Sequence, residues 1–179
     1  GRPLFTARVY VLPTSKFPLS LEHTRALSAL IQDTLSTELG LPVRTLTRQI
    51  ETTSVMLYPS GEDSPYGSQD TLLTDTNLVF LSGIAAHLTM VDGESMGARA
   101  PSTRSEAVLD VWMHTTVADE LGVQAEERYE VHDLRRGTAI PIRIAGTWRV
   151  TDPRDPYWQQ NPNINLRHLL LVREVDYEA

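Results

Sequence analysis

Hydrophobic and polar positions alternate with two different periods along the first fifty residues. Residues 5–12 alternate with period two and carry β-branched and aromatic side chains, a pattern typical of a strand. Ser20 is a candidate N-cap, and an apolar stripe at helical spacing follows it at Leu27, Leu30, Ile31, Leu35 and Leu39. Gly40 and Pro42 end this helix, and residues 43–49 alternate again. The pattern therefore predicts a strand, helix and strand unit.

The rest of the chain is dominated by period-two segments. They predict strands at residues 50–58, 78–81, 106–113, 128–134, 138–150 and 166–173. Two short helices are predicted at residues 83–88 and 116–121, the second capped by Thr116 with Asp119 and ended by Gly122.

A hairpin and a bulge are the most regular features of this β-rich part. Arg135-Arg136-Gly137 is a turn between two predicted strands, and Gly146 indicates a bulge or a close backbone approach within the second strand. Residues 59–68 and 92–105 are rich in turn formers and predict surface loops. The sequence thus predicts an α+β fold: a mixed sheet with a strand-helix-strand opening unit, and a second β-rich lobe containing a short helix and a hairpin.

Composition and charge narrow the classes of function. The chain has 179 residues, 41% of them hydrophobic, which is enough for one core; we predict a single domain, residues 1–179, with a lobe boundary near residues 90–105. The net charge of −7 disfavours a nonspecific electrostatic grip on nucleic acid or anionic lipid. With no cysteine, the chain has no disulfide and no thiolate nucleophile.

The ends and the most apolar stretch of the chain bear on its relation to a membrane. Residues 78–90 are interrupted by Ser82, Gly83 and His87 and fall short of the roughly 18 to 20 apolar residues that a span needs. The chain begins Gly1-Arg2-Pro3 without a basic-then-apolar leader, so we expect a processed or excised segment.

Gly93-Glu94-Ser95-Met96-Gly97 matches the G-x-S-x-G nucleophile elbow of serine hydrolases. A helix has to follow the elbow, but Pro101 and a polar run follow Ser95 instead. We therefore predict a surface turn and no enzyme activity, and keep catalysis by Ser95 as the competing hypothesis.

The histidines and the lysine indicate no cofactor or metal. No two histidines have the spacing that puts two imidazoles on one metal; the five are His23, His87, His114, His132 and His168. Glu130 and His132 are predicted to share one face of a solvated strand. The single lysine, Lys16, lacks the glycines of a phosphate-binding loop.

The run from residue 152 to residue 158 is the most unusual local segment. Two Asp-Pro steps hold the backbone extended, and Tyr157-Trp158 places two large amphipathic side chains at the end of the loop. These aromatic residues either cap the core or meet a partner. The candidate partner contacts are Asp152, Arg154, Asp155, Tyr157 and Trp158.

Two stretches carry a resemblance to a known family. The longer one begins at Gly122-Val123, passes through Arg128-Tyr129-Glu130-Val131 and Ile140-Pro141-Ile142-Arg143-Ile144-Ala145-Gly146-Thr147-Trp148, and ends in Asp152-Pro153-Arg154-Asp155-Pro156-Tyr157-Trp158. The shorter one is Leu88-Thr89-Met90-Val91-Asp92-Gly93. Both resemble the extracytoplasmic domain of FtsX-like and MacB-like ABC transporter permeases, in which a short helix ending in Leu-Gly precedes two strands.

The resemblance implies a domain between the first two transmembrane helices of a permease at the cell membrane. Such a permease dimerises and works with an ABC ATPase subunit or domain. The domain itself is extracytoplasmic and supplies contact with a partner protein or exported substrate and transmission of ATP-driven motion, with no catalytic residue or cofactor. The alternative that the residues leave open is a free-standing module that binds a peptide or small ligand.

Overall fold

Most of the chain folds around one sheet in the computed structural model, which describes residues 8–11, 20–38, 40, 43, 45–61, 71–97 and 108–177. Its helices are α1 Leu21–Thr37, α2 Thr115–Leu121, α3 Pro162–Asn165 and α4 Glu174–Tyr177, with a 3-10 helix at Ile84–His87. Its strands are β1 Gln49–Glu51, β2 Val55–Pro59, β3 Thr74–Leu81, β4 Leu88–Gly93, β5 Leu109–His114, β6 Arg128–Asp133, β7 Thr138–Val150 and β8 Leu169–Leu171. The fold class is α+β with a mixed sheet, as predicted.

Six of the eight strands close into a ring. The strand order is β1-β3-β2-β6-β7-β5-β8, and β8 also pairs with β3, which joins the two ends of the run from β3 to β8. β5–β7 and β3–β8 are parallel pairs, and the other pairs are antiparallel. β4 pairs with β7 outside the ring, and β1 with β3. Closure matters because it pairs strand edges that would otherwise be open.

The core lies on both faces of this sheet because inward and outward positions alternate along each strand. The inner cluster takes residues from all six ring strands: Val55, Leu57, Leu78, Phe80, Val111, Met113, Tyr129, Val131, Ile142, Ile144 and Leu170. The outer cluster contains Val79, Leu81, Ile84, Trp112, Ala145, Trp148, Tyr157, Leu166 and Leu171. The 3-10 helix and the segment after β7 cover this second cluster, which brings the candidate loop against the sheet.

Gly146 is the bulge that the sequence predicted. The β5–β7 register shifts there: Val111 lies opposite Ile144, and Trp112 lies opposite Gly146. A Cβ atom on Gly146 would lie 2.8 Å from the carbonyl oxygen of Asp92. The backbones of β4 and β7 are therefore so close here that only glycine, which has no Cβ, fits.

The three predicted helices are correct in position, the one at residues 83–88 as the 3-10 helix Ile84–His87, and one predicted cap is wrong. Ser20 caps α1 by accepting a hydrogen bond from the N–H of His23, and Gly122, with φ +70°, ends α2. The cap of α2, however, is His114 and not Thr116: its Nδ1 accepts from the N–H of Thr116 at 3.2 Å. The chain is still extended at His114, which makes it the last residue before the helix.

Several predicted strands are wrong in extent. Of the strand predicted at residues 5–12, only 8–11 are described, and these lie outside any strand, as do the described residues 43 and 45–48. The strand predicted at 50–58 is split into β1 and β2, and the one at 166–173 shortens to β8 between α3 and α4. β4 was not predicted, because its sequence lacks a clean alternation. Residues 62–68 and 98–105 of the predicted loops lie outside the described residues.

Candidate contact site at the Asp-Pro loop

Residues 152–158, called the Asp-Pro loop below, are held in their turn conformation by the loop's own aspartates. Oδ1 of Asp152 accepts a hydrogen bond from the N–H of Arg154 at 2.8 Å, and Oδ1 of Asp155 accepts from the N–H of Tyr157 at 2.8 Å. Such aspartate turns replace a backbone turn and favour a defined loop conformation. The hydrogen bond from Tyr157 N–H, followed by that from His87, lowers the pKa of Asp155.

Tyr157 is the residue that anchors the loop to the core. Its ring is buried in the outer cluster, and its hydroxyl donates to the carbonyl oxygen of Ser82 at 2.8 Å. Burial raises the pKa of Tyr157 well above 10, with the nearby charge of Asp155 as the second cause. Of the two roles that the sequence left open, Tyr157 has the core-capping one.

His87 belongs to this site, and sequence reasoning missed it. Its Nδ1 lies 2.9 Å from Oδ2 of Asp155, and its ring stacks on Tyr157 with centroids 3.8 Å apart. Trp158 meets the same imidazole edge-on, with a centroid distance of 5.8 Å. Because a carboxylate accepts a hydrogen bond only from protonated Nδ1, the neutral imidazole is an acceptor at Nε2. No local signal links these residues, since 68 positions separate His87 from Asp155.

Arg154 and Trp158 are the other two predicted contact residues of the loop, and Trp158 packs with part of its ring against the outer cluster. Arg154 is exposed and Trp158 is half-buried, with its indole N–H donating to the carbonyl oxygen of Asp152 at 2.9 Å. Tyr157 and Trp158 pack edge to face, 4.7 Å apart. The structure therefore divides the five predicted contact residues: Asp152, Asp155 and Tyr157 hold the loop, Trp158 packs partly against the outer cluster, and Arg154 is exposed.

Arg143 is the centre of a second cluster, which the sequence did not indicate. Its Nε donates to Asp110 at 2.8 Å, and its Nη1 donates to Glu94 at 3.2 Å and to Glu126 at 2.6 Å. These carboxylates, Asp110 first, raise the pKa of Arg143 above its ordinary value. Asp110 is only 4% exposed and depends on this guanidinium for charge compensation, so we interpret the cluster as structural. Arg173 adds a weaker contact to Asp110 at 4.0 Å.

Ser95 lies just beyond β4 in an exposed position. The residue before it, Glu94, pairs with Arg143, and Met96-Gly97 form a turn. Residues 98–107, where the helix of a nucleophile elbow has to begin, lie outside the described residues.

Two further histidines, His132 and His114, have side-chain partners in the structure. Nε2 of His132 lies 3.1 Å from Glu130, on the shared strand face that the sequence predicted. His114 is buried against Trp148, and burial lowers its pKa, with Arg167 and His168 as further causes. Within the described ranges, no group of three or more His, Asp or Glu side chains is arranged to hold a metal ion.

A small pocket lies where β3 and α2 approach the start of β8. It is bordered by Thr74, Thr76, Val117, Arg167 and His168 among others, and encloses about 10 Å³. This is roughly the space of one water molecule, far below the several hundred Å³ of a typical small-ligand site.

Comparisons with protein-family models, with curated proteins and with solved structures found no match to this chain. Among the residues that the structure describes, no helix has the length and apolar character of a membrane span.

Proposed function

We propose that this chain is the extracytoplasmic domain of an FtsX-like or MacB-like ABC transporter permease, lying between the first two transmembrane helices. In this role it contacts an extracytoplasmic protein or exported substrate and transmits the motion that the ABC ATPase drives. The permease works as a dimer at the cell membrane, and the domain itself performs no catalysis.

One observation carries this proposal: the two stretches that resemble the family are neighbours in the fold. Residues 88–93 form β4, which pairs with β7 inside the longer stretch, residues 122–158. Their two glycines meet directly, since Gly93 lies opposite Gly146. A common structural unit requires these two stretches to be neighbours, and the pairing of β4 with β7 meets that requirement.

The chemistry of the Asp-Pro loop also supports a role in contact. Its aspartates and Tyr157 hold the loop on the sheet, Arg154 is exposed, and Trp158 is half-buried. Loops on a rigid scaffold commonly carry binding, and Trp and Arg are enriched among residues that dominate interfaces.

The parent reading frame tests the proposal first. We expect an apolar segment of about 20 residues on each side of this chain and further spans downstream. A parent reading frame without flanking transmembrane segments would leave the alternative, a free-standing module that binds a peptide or small ligand.

Cysteine labelling of the parent protein in intact cells tests the location. The chain contains no cysteine, so a single cysteine can be placed at will once any others in the parent are removed. Gln32→Cys, on the exposed side of α1, is expected to react with a membrane-impermeant maleimide, whereas Val131→Cys, in the buried core, is the unreactive control. Labelling of Gln32→Cys only after the cells are broken would overturn the extracytoplasmic assignment.

A further inference from the structure

Two buried N–H groups lie without an acceptor at one end of the sheet. Nδ1 of His114 accepts the N–H of Thr116, so the neutral imidazole carries its proton on Nε2 and is a donor there. The second group is the Nε–H of Arg167. Within the described ranges, neither Nε2 of His114 nor Nε of Arg167 has a hydrogen-bond partner, although both atoms are shielded from solvent. A buried donor without an acceptor costs free energy, so the pair indicates a site for a ligand that accepts hydrogen bonds.

The two donors belong to residues at the same junction of strands. β5 ends at His114, β8 begins at Leu169, and the two strands run antiparallel with Trp112 opposite Leu171. The end of β5 therefore lies beside the start of β8, and Arg167 comes two residues before that start. Burial, followed by the positive charge of Arg167, lowers the pKa of His114, so the two side chains interact through space.

The small pocket between β3, α2 and β8 lies at this junction. Arg167 and His168 border it, together with Met113 and Val117, which lie on either side of His114 in the sequence. The other lining residues are threonines and leucines: Leu57, Thr74, Thr76, Leu169 and Leu170. No carboxylate is among the described residues that line it. A lining that is basic and otherwise uncharged favours an anion over a cation.

The volume of the pocket limits the ligand to the size of one water molecule. It encloses about 10 Å³, which excludes oxyanions such as phosphate and sulfate. A water molecule needs acceptors for its own two hydrogens, and the carbonyl oxygen of His168 already accepts from the hydroxyl of Thr76 at 2.7 Å. A halide ion only accepts, and chloride is only slightly larger than water. The two unpaired donors therefore match a halide.

We propose that this junction binds one halide ion, chloride in ordinary solution, between the Nε–H of Arg167 and the Nε2–H of His114. The ion accepts from both donors and lies against the guanidinium, whose Nη2 is paired with Glu120. It joins the end of β5 to the segment before β8 and so stabilises the closure of the ring. This inference does not depend on the proposed function.

Thermal unfolding in two sodium salts at one ionic strength and neutral pH tests the inference. We expect sodium chloride to raise the unfolding midpoint by about 3 °C relative to sodium methanesulfonate, whose anion is too large for the pocket. The shift should saturate as the chloride concentration rises, because it reflects a single binding site. Equal midpoints in the two salts would overturn the inference.

Two variants each remove one donor, and a third is the matched control. Arg167→Met removes the Nε–H together with the ion pair to Glu120, and we expect the chloride shift to disappear. His114→Asn can still cap α2 but has no Nε2–H, and the shift is expected to fall to about half. Glu120→Gln removes the same ion pair and leaves the Nε–H of Arg167 in place, so the full shift should remain. A full shift in Arg167→Met or His114→Asn, or its loss in Glu120→Gln, would contradict a site built from these two donors.

A crystal of the chain grown in sodium bromide locates the ion. Bromide replaces chloride in halide sites and scatters X-rays anomalously, so we expect an anomalous peak within hydrogen-bond distance of Nε of Arg167 and Nε2 of His114. The Arg167→Met variant should give no peak at this place. Water at this position, or bromide only elsewhere on the chain, would show that the junction is not a halide site.

Discussion

The imidazole of His87 lies face to face with the phenol ring of Tyr157, with centroids 3.8 Å apart and planes 11° from parallel. This stack joins the end of the 3-10 helix to the Asp-Pro loop, and Oδ2 of Asp155 lies 2.9 Å from Nδ1 of the imidazole. The loop is therefore fixed by partners far away in the sequence, and its stability depends on Tyr157.

Removing the hydroxyl of Tyr157 tests this anchoring. Tyr157→Phe loses the hydrogen bond to the carbonyl oxygen of Ser82, and we expect the free energy of unfolding to fall by about 1 kcal/mol in urea denaturation. Tyr10→Phe is the matched control, because Tyr10 is 77% exposed, and no change is expected. An equal effect in the two variants would contradict the anchoring role.

The raised pKa of Tyr157 predicts that the folded protein loses stability at alkaline pH. Burial raises the pKa of Tyr157 above 10, its ordinary value, so the unfolded state releases the phenolic proton at a lower pH than the folded state. Stability is present below about pH 10 and is lost as the pH rises above it. Denaturation across this range should show a steeper alkaline decline for the wild type than for Tyr157→Phe; identical declines would count against the burial argument.

Alanine substitutions at Gly93 and Gly137 distinguish the cost of steric overlap from the cost of backbone strain. Both have positive φ, +78° and +64°, but a Cβ on Gly93 would overlap the carbonyl oxygen of Ala145 and lie 2.6 Å from Cα of Gly146. A Cβ on Gly137 meets nothing within 4 Å. We expect Gly137→Ala to cost about 1 to 2 kcal/mol from strain alone, and Gly93→Ala to cost about 1 to 3 kcal/mol more. Similar unfolding free energies for the two variants would show that β4 and β7 are not in close contact.

The lowered pKa of His114 predicts that the stability of the fold is sensitive to acid. Its Nδ1 accepts the N–H of Thr116, so protonation removes the cap of α2 and places a charge on a side chain that is only 6% exposed. Burial lowers the pKa of His114 below 6.5, its ordinary value, so the unfolded state binds the proton first and stability falls as the pH drops below about 6.5.

His114→Asn tests this without removing the cap, because asparagine is a good N-cap residue that does not titrate. We expect a shallower decline in the free energy of unfolding between neutral and mildly acidic pH than in the wild type. His23→Asn, on the exposed side of α1, should retain the wild-type decline. If His114→Asn keeps the full acid dependence, another group is responsible for it.

Arg143 is expected to be essential for stability because it compensates Asp110. Among the described residues, Arg143→Met leaves that buried carboxylate with the contact to Arg173 at 4.0 Å as its remaining ion pair, and we expect a loss of about 3 to 5 kcal/mol. Adding Asp110→Asn should recover part of the loss, which a double-mutant cycle measures. Arg136→Met, in an exposed position, should change stability by less than about 0.5 kcal/mol. Additive losses for Arg143 and Asp110 would show that they are not coupled.

The candidate site was predictable only in part. The Asp-Pro loop was evident from its two Asp-Pro steps and adjacent aromatic residues, because these features are contiguous in the sequence. The division of its residues into buried and outward ones was not evident, since it depends on the carbonyl of Ser82 and the ring of His87. The Arg143 cluster gave no signal either, because its carboxylates come from three separate segments.

The sequence by itself determined the features that depend on a few neighbouring residues. These are the cap of α1 at Ser20, the end of α2 at Gly122, the hairpin turn and the bulge at Gly146. Each reflects a local preference: a side-chain oxygen for open N–H groups, or a backbone conformation or close approach that glycine alone tolerates.

Tertiary structure alone decided how the strands close into a ring. β3 pairs with β8 in the register Asn77 with Leu169, some ninety positions apart, and β4 lies beside β7 despite its irregular pattern. Backbone hydrogen bonds can form between many pairs of strands, so the choice among them depends on which arrangement buries apolar side chains on both faces. That is a property of all the strands together, which no single segment of the sequence contains.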